Sequence, residues 1–115
     1  MIYPIQIDEL MDRVSGNKEF VIKMLDHFFN SSDERLAAMR NEFNNQNYTE
    51  LAELAHKLKG VLGNLSINKS LDPLKDLHTM AGQKNDAQIE ILLAEIESTI
   101  FEAKIFYQDN PELNY

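Results

Sequence analysis

A chain of 115 residues with a 43% apolar share is long enough to bury one core and too short for two. Nineteen acidic residues against eleven basic ones leave a net charge of -8, which repels nucleic-acid backbones and acidic membrane surfaces alike. Cysteine is absent, so disulfides, thiolate metal sites and cysteine nucleophiles are excluded together.

A single domain over residues 1–115 is therefore expected. No stretch approaches the roughly 18 apolar residues of a bilayer span. The opening MIYPIQIDEL lacks the basic and then apolar pattern of a secretory signal. A cytoplasmic setting is the expectation, without membrane or nucleic-acid partners.

Apolar residues recur at three- and four-residue spacing, with four glycines and three prolines as punctuation, which predicts an all-α fold. The first short helix is expected over Ile7 to Val14, stopped by Ser15, Gly16 and Asn17. Gly16 suits a left-handed cap and Asn17 an N-cap. A second helix is predicted from about Lys18 to Asn30, with Phe20, Met24, Leu25 and Phe28 as its apolar face. Ser31 and Ser32 break that pattern, and Ser31 with Glu34 has the spacing of a capping box. A third helix then carries Leu36, Met39 and Phe43 and closes at Asn44 to Asn47.

The fourth helix starts near Thr49 and runs to about Leu65. A fifth starts at Ser70 or Asp72, because Pro73 is tolerated only within a first turn, and it ends near Gly82. Asp86 is expected to cap the last helix. There Ile89, Leu93, Ile96, Ile100 and Ala103 step by four and three, as a bundle seam requires. Short loops favour antiparallel neighbours, so the expected architecture is an antiparallel four-helix bundle with additional short helices.

The fourth helix carries the chemistry. At about 100° per residue, Leu51, Leu54, Leu58, Leu62 and Leu65 gather on the core side, and His56 points away from them. Lys59, Gly60 and Gly63 neighbour His56 on the helix surface, and Ala52 one turn earlier is also small. Two interior glycines cost about 1 kcal/mol each relative to alanine. Beside an exposed imidazole they leave room for a bulky reagent, such as another protein's active site. Lys59 adds a cation suited to a phosphoryl group. An exposed neutral imidazole keeps a nucleophilic lone pair. From spacing alone, a surface histidine with glycines that permit close helix packing is the competing reading.

The run Ala55-His56-Lys57-Leu58-Lys59-Gly60, followed by Gly63, resembles the phosphorylation motif of histidine-containing phosphotransfer domains. The order of helices resembles that family over nearly the whole chain. The resemblance implies that His56 accepts a phosphoryl group, that Lys59 helps to hold it, and that Gly60 and Gly63 make room for a receiver domain. Family members carry a glutamine or glutamate on the adjacent helix that bonds the other ring nitrogen. The corresponding position here is His78, and a neutral imidazole is able to accept the same bond. Ser66 stands where many members have a further glycine.

The implied function is a phosphorelay intermediate of a two-component system. A receiver aspartate donates the phosphoryl group to His56, and another receiver takes it onward. The partners would be response-regulator receiver domains, including one within a hybrid sensor kinase. No cofactor is expected on this domain; magnesium is expected on the receiver. No phosphate-cradling glycine loop is present, so kinase activity is not expected. A non-catalytic helical adaptor is the alternative.

His27, sharing a helix side with Phe20 and Met24, is expected at a core boundary. His78, beside Leu74 and Leu77, reads equally as structural or orienting. The three histidines fall on separate helices without di-iron spacing, so no metal site is expected. Ile7, Leu10 and Met11 are the candidates for an apolar docking surface around the histidine.

Overall fold

The computed structural model describes residues 3–110 and Leu113. Five α-helices follow one another: α1 (Ile7–Arg13), α2 (Lys18–Asn44), α3 (Tyr48–Asn64), α4 (Leu71–Gly82) and α5 (Asp86–Gln108). A single 3-10 turn at Asn68–Ser70 leads into α4, and no strand occurs among the described residues. The helix α2 packs on α3 and α5, and α4 packs on the same two. With loops of only a few residues, these four helices run antiparallel as a bundle, and α1 is the additional short helix.

One continuous helix stands where a second and a third were expected. Ser31 and Ser32 do not break it, because both hydroxyls turn back to carbonyls of the preceding turn. Ser31 Oγ lies 3.2 Å from the Phe28 carbonyl, and Ser32 Oγ 3.2 Å from that of Phe29. Satisfied in this way, a serine costs a helix only about 0.5 kcal/mol, which burial readily exceeds. The buried stripe Val21, Leu25, Phe28, Phe29, Ser32 and Met39 passes straight through the serine pair. No capping box forms at Ser31.

The register of that stripe also corrects two expectations about α2. Phe20 is 47% exposed and Met24 half-buried, so the apolar face is centred one position later, on Val21 and Leu25. His27, on the Phe20 side, is consequently exposed and not at a core boundary. In α5 the seam is as expected: Ile89, Leu93, Ile96, Ile100 and Ala103 are all buried, and Tyr107 extends it.

Asparagines stand at the N-caps of α2, α3 and α5, and two of them cap through the side chain. Asn17 Oδ1 accepts from the Phe20 amide at 3.1 Å, and Asn85 Oδ1 from that of Gln88 at 3.2 Å. Asn85, and not Asp86, therefore caps α5; Asp86 is its first residue and favours the positive end of the dipole. The ends of α1 to α4 share a different device. A non-glycine residue takes a left-handed conformation just past each: Ser15 at φ 55°, Gln46 at 58°, Ser66 at 57° and Lys84 at 54°. After α3, the Ser66 amide bonds the Gly63 carbonyl and the Ile67 amide that of Leu62. Two otherwise unpaired helix-end carbonyls are thereby satisfied.

Polar ties lock the bundle. Arg40 on α2 reaches Glu97 at 2.9 Å and Glu90 at 2.5 Å, both on α5. Bonding to Glu97 comes first among the causes that raise the Arg40 pKa. Near the other end of α5, the Tyr107 hydroxyl donates to Asp26 of α2 at 2.5 Å.

Candidate functional site

Helix α3 places the motif. Its buried stripe is Leu51, Ala55, Leu58 and Leu62, with Leu54 only half-buried, so alanine takes one of the core positions expected for leucine. His56 follows Ala55 directly and is exposed, at the edge that α3 shares with α4. It makes no hydrogen bond or ion pair among the described residues.

The neighbours predicted from the wheel divide in role. A Cβ built on Gly60 would meet nothing within 4 Å, so this turn is bare backbone facing open space. Gly63 is half-buried, and a Cβ there would lie 3.9 Å from Leu71 Cδ2 at the start of α4. Its carbonyl is occupied as well, by Arg13 Nη1 at 2.7 Å. Gly60 therefore clears the surface, whereas Gly63 lies against the first turn of α4. Lys59 is half-buried and engages no carboxylate among the described residues, so its ammonium is not neutralised by a fixed partner.

Across the α3–α4 edge stands His78, also exposed, with its ring centroid 6.1 Å from that of His56 and the planes inclined at 56°. A direct N–H···N bond between two imidazoles brings centroids to about 5.3 Å, that is two ring radii plus a normal donor–acceptor distance. The rings are thus adjacent but not bonded. His78 also lines a shallow cleft between the first turns of α3 and the end of α4, together with Tyr48, Ala52 and Glu53. At its rim the Tyr48 hydroxyl donates to Asp86 at 2.5 Å, and that bond is the main cause raising the Tyr48 pKa.

The docking candidates in α1 fare unequally. Leu10 is wholly buried, and Ile7 and Met11 are half-buried against the core. Leu10 is core, not surface: it is the one fully buried residue of this seven-residue helix, which Ile7, Met11 and its polar ties also hold to the bundle. Of those ties, only the four-residue spacing of Glu9 and Arg13 on one helix had a signal in the sequence. Arg13 spans Glu9 at 3.0 Å and the Gly63 carbonyl, while Glu9 also accepts from Ser66 Oγ at 3.0 Å. Ser66 thus bonds α1 from the position where a glycine was expected.

No group of three or more histidine or carboxylate side chains is assembled to hold a metal ion among the described residues. No helix among them is long and apolar enough to cross a membrane.

Comparison with known families agrees with this arrangement. The Hpt domain family matches residues 23–100, from within α2 to within α5, which is roughly two thirds of the chain and includes the whole of α3 and α4. The match is narrower than the order of helices suggested, since α1 lies outside it. Neither a curated protein nor a solved structure matches the chain. A helical bundle with an exposed histidine beside bare helix backbone, matched over that span, places the chain in the Hpt domain family, whose members carry out histidine phosphotransfer in phosphorelays.

Proposed function

We propose that His56 is the phosphoacceptor, taking a phosphoryl group from the aspartate of one receiver domain and passing it to another. The lone pair of Nε2 attacks phosphorus in line. The acyl-phosphate P–O bond breaks, and its electrons leave on the receiver's carboxylate. Transfer onward is the reverse step with a second aspartate. Such a reaction depends mostly on alignment and charge stabilisation. Magnesium and most of the catalytic groups belong to the receiver. This domain brings the nucleophile, a cation at Lys59 and an open approach over Gly60. His78 orients the His56 ring through its other nitrogen, a bond that a small side-chain rotation closes. A cytoplasmic two-component pathway, with a hybrid sensor kinase as one source of the donor receiver, belongs to the same proposal.

The observation that carries this reading is the exposure of His56 beside the open backbone of Gly60. It favours transfer over passive adaptor binding, because bare backbone next to an imidazole adds nothing to an apolar contact. The deciding experiment incubates the protein with a phosphorylated receiver and magnesium and follows acid-labile, base-stable phosphate. His56→Gln should remain folded and take up none. Uptake retained by that variant, or phosphate mapped to His27 or His78, would sink the assignment.

A further inference from the structure

The separation of the two exposed imidazoles has a second chemical meaning. At 6.1 Å the centroids are too far apart for a direct hydrogen bond, and side-chain rotation that draws the rings together by about 1 Å brings them to the spacing set by one shared metal ion. With metal–nitrogen distances of about 2.0–2.1 Å, two imidazoles on one ion have centroids about 5.2 Å apart at a tetrahedral angle and about 6.4 Å apart when linear. The observed value exceeds the tetrahedral spacing by about 0.9 Å. Both rings are exposed, so side-chain rotation alone can turn the nitrogens inward.

We propose that His56 and His78 form a two-imidazole chelate for a divalent transition ion of the zinc or copper type, and that this ion competes with the phosphoryl group for His56. The two rings come from different helices, α3 and α4, and packing fixes the backbones that carry them, so only the two side chains need to be ordered on binding. No third histidine or carboxylate ligand completes the site among the described residues, and water would fill the remaining positions. Affinity is therefore moderate and chemically selective. Imidazole suits zinc and copper, whereas magnesium and calcium demand oxygen donors. The magnesium used by a receiver would not occupy it. Charges near the pair act in both directions. Glu53, which lines the cleft with His78, favours a cation, and Lys59, one turn beyond His56, opposes it.

Binding uses the lone pair that phosphoryl transfer needs. An imidazole nitrogen bound to the metal has no electron pair for phosphorus, and a phosphorylated nitrogen has none for the metal. The chelate stands on geometry alone. The competition rests on the proposed transfer at His56, so the two require separate readouts.

Metal-free protein is titrated with zinc chloride in calorimetry at neutral pH, with no receiver present. One ion should bind per molecule. His56→Gln and His78→Gln should each weaken binding at least tenfold, and His27→Gln should leave it unchanged. Undiminished affinity in either of the first two variants, or a complex of two molecules per ion, overturns the chelate. Competition is then read as phosphate uptake from phosphoramidate, a small donor that needs no receiver. Saturating zinc should slow uptake at least tenfold and magnesium should not. Uptake unaffected by bound zinc overturns the competition and leaves the chelate standing. A wild type that takes up no phosphate even without zinc refutes the transfer reading instead.

Discussion

Arg13 Nη1 donates to the carbonyl of Gly63 at 2.7 Å, joining the last residue of α1 to the last turn of the helix that carries His56. The guanidinium lies at the negative end of that helix, where a cation is favoured, and it is held in place by Glu9 one turn back. Buried Leu10, half-buried Ile7 and Met11, the Glu9 bond to Ser66 and the Gln6 amide, bonded to the Ser66 carbonyl, also fix α1 to this part of the bundle.

Arg13→Ala should therefore loosen α1 without unfolding the bundle. The Gly63 carbonyl keeps the Ser66 amide as a partner, so no buried acceptor is orphaned. With both groups of the Glu9 pair about half exposed, a loss of about 1 kcal/mol is expected. Native-state hydrogen exchange should show faster exchange in α1 and unchanged protection in α4 and α5. Uniformly faster exchange would mean that α1 unfolds only together with the bundle.

The two sides of the phosphotransfer proposal separate at Gly60. Nothing lies within 4 Å of a Cβ placed there, so Gly60→Ala should stabilise the fold by about 0.5–1 kcal/mol through helix propensity. Gly60→Phe, whose Cβ likewise meets nothing within 4 Å, puts a ring over the approach to His56. Its phosphate uptake from a receiver should fall tenfold or more, while uptake from phosphoramidate should change little. Equal loss with both donors would show that the ring disturbs His56 itself and not the protein–protein approach.

The outcomes at these positions show what was legible in the sequence and why. The seam of α5 and the outward placement of His56 follow from a spacing that leaves one arrangement of the helix against a core. The continuity of α2 did not, because Ser31 and Ser32 have the same local chemistry whether they cap a helix or bond back within one. Only burial of Ser32 among the phenylalanines decides between them. Arg13 meets Gly63, and Glu9 meets Ser66, through pairings 50 or more residues apart, for which no local pattern exists. The burial of Leu10 was not legible either, because a seven-residue helix has too few positions to show which face is buried.

Alkaline stability should reveal the tie between α5 and α2. Burial, followed by the hydrogen bond to Asp26, raises the Tyr107 pKa above its usual value. A group whose folded pKa is raised holds its proton more tightly in the folded state. Its contribution is complete below the unfolded value of about 10 and is lost as pH rises through the folded value. Denaturation midpoints should therefore decline above about pH 10, and Tyr107→Phe should flatten that decline while lowering stability at neutral pH by about 1 kcal/mol. An identical alkaline profile in the variant would assign the decline to other groups.

The left-handed residues past the helix ends allow a paired test of strain against compensation. Gln46 at φ 58° is exposed and its side chain has no hydrogen-bond partner, so it bears the steric penalty of a left-handed residue with nothing in return. That penalty is about 1 kcal/mol for a residue with a Cβ, and a glycine removes it at the expense of a looser unfolded chain. Gln46→Gly should gain about 0.5 kcal/mol. Ser66 has a similar φ of 57°, but it is fully buried and its hydroxyl bonds Glu9 at 3.0 Å. Ser66→Gly relieves the same strain and loses a bond worth about 1 kcal/mol, so the net change should be near zero or slightly unfavourable. Chemical denaturation of the two variants side by side measures the difference. If Ser66→Gly gains as much as Gln46→Gly, the Ser66–Glu9 bond contributes nothing, and α1 is held by its other contacts, among them Arg13, the Gln6 amide and Leu10.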